Sequence, residues 1–400
     1  SLSEDQGANA ICIVLSGTGT DGTQGLKAIK GEGGMTIAQD EGQAKYGSMP
    51  RSAISTGLVD YVLPVEKMPE ELAKYVKHPY IEKESIADTT EQKYQNSVTK
   101  ILIQIRSKTG QDFSNYKQNT IHRRIERRMA IHQIGKISHY LDYILESPLE
   151  VKTLYKDLLI GVTNFFRDPD AFDVLEEEVI SEIIQTKKGD TIRIWVPGCA
   201  TGEEAYSIAM IFAELMEKSQ KRFNIQIFDT DIDEEAIEFA RAAVYPDSIA
   251  ADISRERLKR FFIKEDSTYK VKKQIRDMLV FASQSLIKDP PFSRLDLVSC
   301  RNLLIYMDKV LQKKIVPIFH YTLNRGGYLF LGSSETIGEF PDLFKTKNPK
   351  WKIYRRLEVV VKGGLGYRIT QDVEKLEEMQ VGEAKKYPKE TNIYQMAERE

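Results

Sequence analysis

The most constraining feature of this sequence is a regular alternation, from residue 191 to residue 356, of short apolar runs with longer segments of helical periodicity. This alternation predicts a largely parallel sheet with helices on both faces, because parallel strands need helical crossovers between them. The predicted strands are residues 192–196, 224–228, 278–282, 295–299, 328–331 and 351–355. The predicted helices are residues 203–218, 234–243 and 308–323. The main domain, residues 169–356, is therefore predicted to be α/β.

A helical region precedes this domain. Residues 97–168 carry apolar side chains at helical spacing throughout, which predicts a small all-α domain. One helix start is marked by Ser147 as N-cap, by Pro148 at the first helical position and by Glu150, which would complete a capping box. Asp168, followed by proline, predicts the next helix start by the same reasoning.

The beginning of the chain has its own α/β pattern. Residues 1–80 predict a partial α/β unit with a buried first strand and a glycine-rich loop. Its predicted strands are residues 10–16, 35–38 and 58–62, and its helix is residues 23–31. Residues 81–96 are polar without periodicity, which predicts a linker, and the charged residues 357–400 predict a tail or linker helix.

Composition narrows the functional classes. A net charge of −2 gives no overall attraction to nucleic acid. Three widely spaced cysteines predict a reducing, cytoplasmic setting, with neither a disulfide framework nor a metal site. No apolar run approaches the roughly 18 residues of a membrane span, so no membrane insertion is expected. The chain starts without an initiator methionine, and we expect it to be a piece of a longer protein.

The turn after the strand at 192–196 is a candidate nucleotide site. It contains Gly198 and leads into a helix, so a ligand can approach the backbone closely there. Such turns also occur in nicotinamide and flavin enzymes, and some only reverse the chain. Glu203, in the first helical turn, would repel a pyrophosphate but suits a sulfonium cation. Alternatively, Glu203 only complements the helix dipole and binds no ligand.

Acidic residues also follow the strand at 224–228. Asp231 lies where an acidic side chain typically holds a ribose diol. Asp231 and Asp233 could instead cap the next helix, and Asp233 is the better candidate for that role. Taken together, the acidic residues favour a cationic nucleoside without phosphate, S-adenosylmethionine, over a dinucleotide.

Three further motifs carry a family resemblance. The sequence reads Thr-Asn-Phe-Phe-Arg at 163–167, Thr-Gly-Glu-Glu-Ala-Tyr-Ser at 201–207 and Ser-Cys-Arg-Asn-Leu-Leu-Ile-Tyr at 299–306. In order and spacing, residues 97–356 resemble the CheR family of chemotaxis receptor glutamate O-methyltransferases.

That resemblance implies a Rossmann-like class I S-adenosylmethionine methyltransferase domain behind an all-α domain. It also implies methyl transfer to glutamate side chains of a chemotaxis-type receptor, with S-adenosylhomocysteine as product. Tyr306 would lie near the methyl group. The implied cofactor contacts are Thr163, Arg167, Glu203, Asp231 and Asn302.

Two positions depart from the family pattern. Gly161 stands where the family often has asparagine, and Ser285 takes the place of another asparagine after the strand at 278–282. Each departure could remove a cofactor hydrogen bond, on the order of 1 kcal/mol. A second hypothesis is therefore a module that binds S-adenosylmethionine or S-adenosylhomocysteine as a sensor with weakened catalysis. A nicotinamide dehydrogenase is a third hypothesis, which Glu203 disfavours.

The first 75 residues resemble the C-terminal part of the CheB receptor methylesterases. The resemblance rests on residues 15–22, 37–40 and 49–53. It implies that Asp21 is the aspartate that orients a catalytic histidine. The serine and histidine of that triad have no counterpart in this sequence, so we expect no esterase activity from the fragment.

The chemistry implied by the resemblance needs positioning more than proton transfer. A glutamate nucleophile, with an ordinary pKa of about 4.3, is already ionised at neutral pH and requires no general base. Arg167 could hold its two oxygens in a plane, and Tyr306 could hydrogen-bond the substrate. Alternatively, Arg167 is a surface ion-pair partner and Tyr306 is a core residue.

A strip of arginines predicts how a protein partner docks. Four arginines share one face of a predicted helix, where a solvated face and nucleic-acid binding are alternative interpretations. We expect the strip to dock an acidic helical region of a receptor, since opposite charges steer encounter. The docking residues are Arg123, Arg124, Arg127 and Arg128.

A small β-subdomain is expected near residues 255–281, with strands at 267–272 and 278–281. Family members that bind a receptor C-terminal pentapeptide carry a glycine in a loop of this region. Residues 262–269 contain no glycine, so we expect recognition that does not depend on the pentapeptide.

Overall fold

The computed structural model describes residues 2–76, 91–159 and 161–358. Of the predicted linker, residues 81–90 lie outside the described residues, as do residues 359–400 of the predicted tail. Residues 91–96, which we predicted as linker, instead form the start of a helix.

A seven-stranded sheet forms the main domain. Its strands are β4 (Thr191–Pro197), β5 (Asn224–Asp231), β9 (Leu279–Ser283), β10 (Leu295–Cys300), β11 (Leu323–Leu331), β12 (Phe344–Asn348) and β13 (Ile353–Arg356). The order across the sheet is β12-β13-β11-β10-β4-β5-β9. All neighbours are parallel except β13, which is antiparallel to β11 and β12. The predicted α/β class is confirmed.

Strand β12 is the one strand of this sheet that the sequence analysis missed. Its residues Phe-Lys-Thr-Lys-Asn lie at the sheet edge and three of the five are exposed. A strand at the edge of a sheet pairs with a neighbouring strand on one side only, and part of it stays exposed to solvent. Its sequence therefore contains exposed lysines and lacks a continuous apolar run. The other six strands lie within a few residues of their predicted positions.

Helices cover both faces of this sheet. They are α9 (Pro169–Val174), α10 (Ser181–Thr186), α11 (Glu203–Ser219), α12 (Glu234–Ala242), α13 (Arg255–Phe261), α14 (Lys273–Arg276) and α15 (Lys309–Thr322). A π-helical segment, Leu175–Ile180, joins α9 to α10. Helix α11 is buried along most of its length because it packs on the centre of the sheet, beside β4 and β5.

The small sheet differs from the prediction. It contains β6 (Val244–Pro246), β7 (Phe262–Glu265) and β8 (Thr268–Val271), in the antiparallel order β6-β8-β7. The predicted strand at 278–281 belongs instead to β9 of the main sheet, where it pairs with β5. The prediction was wrong because a short apolar run does not show which strand it will pair with.

The helical region contains four helices among its described residues, which confirms the predicted all-α domain. They are α5 (Glu91–Thr109), α6 (Gln118–Ile131), α7 (Ile137–Glu146) and α8 (Pro148–Leu159). Their apolar faces meet in a core that also includes Leu311 and Phe319 of α15. This shared core joins the helical region to the main sheet.

The first part of the chain folds as a partial α/β unit. Its parallel sheet contains β1 (Ile11–Val14), β2 (Met35–Gln39) and β3 (Tyr61–Leu63), in that order. Its helices are α1 (Leu2–Gln6), α2 (Thr23–Gly31), α3 (Ser48–Ile54) and α4 (Met68–Val76). Its core includes Ala130 of α6, so this unit packs directly against the helical region.

Of the two predicted helix starts, the first has its serine cap and the second has no side-chain cap. Ser147 Oγ accepts a bond from the Glu150 N–H at 3.3 Å, but the Glu150 side chain points inward and binds Arg128 and Tyr140. The capping box is therefore incomplete. Asp168 has a left-handed backbone (φ 62°) and makes no side-chain cap. The carboxylate of Asp168 instead accepts a bond from Arg301.

Three structural features bear on the exclusions made from composition. Across residues 2–76, 91–159 and 161–358, no helix is both long and apolar enough to cross a membrane. Within the same residues, no cluster of histidine, cysteine or carboxylate side chains has the makeup of a metal site. Cys12, Cys199 and Cys300 are all free thiols.

Candidate active site

A cavity opens at the carboxyl ends of β4, β5 and β10, where the strand order reverses. Helical crossovers diverge at such a reversal point, which leaves a crevice above the sheet. The residues of the predicted site that line this cavity are Gly161, Thr163, Arg167, Gly198, Asp231, Ser285, Asn302 and Tyr306. The cavity wall is completed by residues of the helical region, among them Phe113 and Tyr116.

Glycine is required at Gly198 for two reasons. Its φ is +72°, and a Cβ atom there would lie 2.9 Å from Cδ2 of Leu303. A side chain at this position would therefore collide with Leu303 in the cavity wall, and its backbone angle would be strained. The structure supports the sequence argument that the turn lets a ligand approach the backbone.

Asp231 is held rigidly at the end of β5. One carboxylate oxygen accepts the Ala200 N–H at 2.9 Å and the other accepts the Asp233 N–H at 3.0 Å. Burial raises the pKa of Asp231, against the effect of these backbone bonds. The neighbouring Asp233 caps α12, accepting the N–H groups of Glu235 and Ala236, as predicted. Asp231 is thus free of a capping role and faces the cavity.

The structure places Glu203 differently from the prediction. Glu203 is 4% exposed, its carboxylate accepts the Thr201 hydroxyl at 2.6 Å, and it does not line the cavity. The next residue, Glu204, does line it, and accepts the Ser299 hydroxyl at 2.6 Å. Burial raises the pKa of Glu204. Adjacent residues of a helix lie about 100° apart, so only one of the two can face the strand ends.

Arg167 projects from a tight turn between the helical region and α9. Its Nη1 donates to the Val162 carbonyl at 3.1 Å, and the side chain is half-buried in the cavity wall. The residues on either side, Phe166 and Asp168, both have left-handed backbones (φ 49° and 62°). Two such non-glycine residues in one turn are unusual and need support from their surroundings.

Asn302 and Tyr306 lie on the segment after β10. Asn302 has a φ of +57°, and its N–H donates to the Glu335 carboxylate at 3.0 Å. The same carboxylate accepts the N–H groups of Ile305 at 3.2 Å and Gly332 at 2.7 Å. Burial raises the pKa of Tyr306. Glu335, at 4% exposure, therefore supports the backbone that presents both residues.

The arginine strip is not an exposed docking surface in this structure. Arg124, Arg127 and Arg128 are 2%, 0% and 8% exposed, respectively. Arg124 donates to the carbonyls of Lys30 and Gly31, at 3.2 and 2.7 Å. The prediction of a docking strip is therefore wrong for these three residues, because the first α/β unit and the helical region's own carboxylates cover them.

The other two buried arginines are paired with carboxylates. Arg127 binds Asp60 of the first unit and Asp157 of α8, the latter at 2.8 Å. Arg128 binds Glu150 at 2.6 Å. Arg123 alone keeps partial exposure, with 35% of its side chain accessible.

The remaining predicted residue, Asp21, lies elsewhere. It is exposed in the loop before α2 and does not line the cavity. Ser285 is 6% exposed in the cavity wall, where its N–H donates to the Asp289 carboxylate at 2.7 Å.

Three charged residues of the site were missed by the sequence analysis. Glu204 was missed because Glu203, the same residue type beside it, was chosen instead. Arg301 was missed because only Asn302 and Tyr306 were selected from its motif. Glu335 lies about 30 residues beyond the nearest motif, and nothing in its local sequence marks it. A glutamate in a glycine- and serine-rich loop ordinarily faces solvent, so tertiary structure alone brings its carboxylate under the active-site backbone.

The lining chemistry fits S-adenosylmethionine better than a dinucleotide. Carboxylates of Glu204 and Asp231 face the cavity, and they favour a cation and a ribose diol over a pyrophosphate. Arg301 also lines the cavity, but its charge is paired with Asp168 at 2.7 Å and with Glu204 at 3.5 Å. Arg167 remains as the cation without a carboxylate partner among the ion pairs of the described residues.

Comparisons with known families divide the chain into three parts. Residues 161–353 match the family described as "CheR methyltransferase, SAM binding domain", and residues 97–159 match "CheR methyltransferase, all-alpha domain". Residues 1–72 match "CheB methylesterase". The two resemblances noted in the sequence are thus confirmed.

Similar proteins agree with these matches. "Chemotaxis protein methyltransferase 2" of Vibrio cholerae is 30% identical over 60% of this chain and 85% of its own length. "Chemotaxis protein methyltransferase 1" of Pseudomonas aeruginosa is 31% identical over 57% of this chain and 86% of its own length. An uncharacterized 104.1 kDa protein of Rhodobacter capsulatus is 37% identical over 89% of this chain. The chain spans 40% of that relative's length.

Proposed function

The chain belongs to the CheR family of chemotaxis protein methyltransferases and carries a CheB methylesterase fragment at residues 1–72, and from this we propose that it methylates glutamate side chains of a chemotaxis-type receptor. S-adenosylmethionine is the methyl donor of this family, and S-adenosylhomocysteine would be the product. The observation that carries the proposal is that one cavity is lined by the carboxylates of Asp231 and Glu204 together with Arg167 and Tyr306.

The charges of the cavity suit a carboxylate acceptor. Arg167 makes a hydrogen bond to a backbone carbonyl, and no ion pair of the described residues uses its charge. A guanidinium in this position can bind both oxygens of an incoming carboxylate and hold them in one plane. An acceptor amine or hydroxyl would instead need a base to remove its proton, and a cationic amine would be repelled by Arg167.

Each residue has a proposed task. Asp231 would hold the ribose, and Asn302, Thr163, Gly198 and Ser285 would make further contacts to S-adenosylmethionine, which supplies an electrophilic methyl group on a sulfonium. Arg167 would orient the acceptor carboxylate. Tyr306 would donate a hydrogen bond to that carboxylate. No proton has to move, so rate depends on alignment and on exclusion of water.

The partner is proposed to be an acidic helical segment of the receptor cytoplasmic region. Arg167 lines the cavity, and Arg123 is the partly exposed arginine of the strip, with its Nη1 3.8 Å from Glu32, whereas Arg124, Arg127 and Arg128 are covered. We further propose that recognition does not need a receptor C-terminal pentapeptide, that the reaction is cytoplasmic and that the CheB fragment contributes no hydrolysis.

A direct test measures methyl ester formation. The chain is incubated with radiolabelled S-adenosylmethionine and a receptor cytoplasmic fragment, and alkali is then used to release labelled methanol. We expect label on the receptor that is lost in alkali, because methyl esters hydrolyse readily in base. A parallel titration with S-adenosylhomocysteine measures binding by itself.

Two results would contradict the proposal. Alkali-stable label on the receptor would indicate methylation of another group, such as an amine. Tight nucleoside binding without any transfer would support a sensor module instead. Receptor fragments with and without the C-terminal pentapeptide are compared in the same assay.

Cofactor affinity is expected to rise in the variant Gly161→Asn. A Cβ atom at Gly161 would meet no atom within 4 Å, and the position lines the cavity, so asparagine has room to add a hydrogen bond. About 1 kcal/mol, or roughly fivefold tighter binding, is expected. Isothermal titration calorimetry with S-adenosylhomocysteine measures this change in affinity. Gly135→Asn, equally unhindered but away from the cavity, serves as the control; unchanged affinity in Gly161→Asn would refute the prediction.

A further inference from the structure

The turn that carries Arg167 is strained and depends on its neighbours. Phe166 and Asp168 both lie in the left-handed region, at a cost of about 1 kcal/mol or more for each non-glycine residue. The Phe166 N–H donates to the Ser207 hydroxyl of α11 at 3.0 Å, which fixes one side of the turn. The other side needs a partner for the Arg167 carbonyl.

Arg301 supplies that partner. Its Nη2 donates to the Arg167 carbonyl at 2.8 Å and to Asp168 Oδ2 at 2.7 Å. Its guanidinium carbon lies 5.1 Å from the ring centre of Phe172 and 4.8 Å from that of Phe330. Its side chain is 1% exposed. Arg301 is therefore packed against two aromatic rings that contact each other edge to face, and its Nη2 bonds the turn.

The second terminal nitrogen of the Arg301 guanidinium, Nη1, faces Glu204 in the first turn of α11. This nitrogen lies 3.5 Å from Glu204 Oε2, and Glu204 accepts the Ser299 hydroxyl from the same strand end. A planar guanidinium can contact both the turn and Glu204, whereas an ammonium is a single point charge. Arg301 therefore connects the carboxyl ends of the strands to the turn that carries Arg167.

We propose that Arg301 is a positioning residue for methyl transfer, which acts by holding the Phe166–Asp168 turn so that the Arg167 side chain faces the acceptor carboxylate. This inference rests on the proposed function for its catalytic readout. Loss of the clamp lets the turn relax toward ordinary backbone angles, and the Arg167 guanidinium moves away from its place in the cavity. Acceptor alignment is lost while the Asp231 side of the site is unchanged.

The test compares Arg301→Lys with wild type in the full chain. We expect kcat for receptor methylation to fall about 10-fold to 100-fold, since a displacement of about 1 Å can cost that much. The Kd for S-adenosylhomocysteine should stay within about threefold, because lysine keeps the charge near Glu204. Arg193→Lys is the matched control, since Arg193 also lies against a ring, at 4.7 Å from that of Phe228, and does not line the cavity.

A double-mutant cycle shows whether Arg301 acts through Arg167. In an Arg167→Lys background, Arg301→Lys should add less than about threefold to the loss of kcat, because residues that act as one unit are not additive. Equal losses in both backgrounds would overturn the proposal. A loss confined to the Kd of S-adenosylhomocysteine would overturn it too, as that outcome fits cofactor binding.

A second variant and a second measurement keep the inference testable independently of methylation. Asp168→Asn removes the negative charge that pairs with Arg301 and retains a residue that tolerates the left-handed region, so folding should survive. Hydrogen exchange of the amides at 166–168 and 170–171 should accelerate in both Arg301→Lys and Asp168→Asn. Unchanged exchange there refutes the clamp. If wild type forms no methyl ester but exchange accelerates as expected, the proposed function fails and the clamp stands.

Discussion

Replacing Arg167 with alanine is expected to lower kcat for methyl transfer by about 100-fold to 1,000-fold while leaving affinity for S-adenosylhomocysteine within several-fold. Arg167 is the cavity-lining arginine that makes no ion pair with a carboxylate among the described residues. Its loss removes the group proposed to align the acceptor carboxylate, and a lost charged donor of this kind costs on the order of 100-fold to 1,000-fold in kcat. The side chain of Arg167 bonds the Val162 carbonyl and makes no hydrogen bond to Asp231 or Gly198, so those residues are untouched by the change.

The measurement is initial rate with radiolabelled S-adenosylmethionine at saturating receptor, beside a binding titration. Arg325→Ala is the matched control, because Arg325 is 80% exposed and distant from the cavity lining. Turnover near wild type in Arg167→Ala would show that the assigned role is wrong. A loss of binding as large as the loss of rate would move Arg167 from acceptor alignment to cofactor binding.

The second large effect is on stability, in the variant Asp60→Asn. The Asp60 side chain is 2% exposed and accepts bonds from Arg127, from Lys30 at 2.7 Å and from Thr36 N–H at 2.9 Å. Asparagine keeps the size of the side chain but leaves buried Arg127 and partly buried Lys30 to share Asp157. Removing one partner of a buried ion pair lowers the free energy of unfolding by about 3–5 kcal/mol. We expect the CheB fragment to lose its packing on α6.

Hydrogen exchange of β2 amides and thermal unfolding measure this effect. Glu41→Gln is the control within the same fragment, because its partner Arg51 is 66% exposed and such pairs contribute about 0–1 kcal/mol. Protection in β2 equal to that of the control would contradict the prediction.

The effect of Asp60 also has a defined pH dependence. Burial alone would raise the pKa of Asp60, but the charges of Arg127 and Lys30 hold it well below its usual range. A carboxyl with a depressed folded-state pKa stabilises the fold above its unfolded-state pKa, near 4, and loses that contribution as pH falls further. The difference in stability between wild type and Asp60→Asn should therefore be full at neutral pH and shrink below about pH 4.

Burial of charge was the main failure of the sequence analysis. Arg127 binds carboxylates 67 and 30 residues away, and Arg128 binds one 22 residues away. Helical spacing correctly placed the arginines on one helix, but the same spacing suits a solvated face and a face covered by acidic partners. No local pattern distinguishes a solvated face from a covered one, because the acidic partners are distant in sequence and only the tertiary fold brings them to the helix.

Local sequence did determine the α/β sheet, the four-helix region and the glycine turn of the cavity. Each depends on short-range physics: apolar periodicity sets strand or helix, and Gly198 is required by one backbone angle and one close contact. Only the tertiary structure decided that Glu204 rather than Glu203 faces the cavity, that Arg301 and Glu335 support its turns, and that the CheB fragment covers Arg124 and Arg127. Those outcomes depend on which distant surfaces meet, because the orientation and the neutralisation of a charged side chain are set by groups remote in sequence.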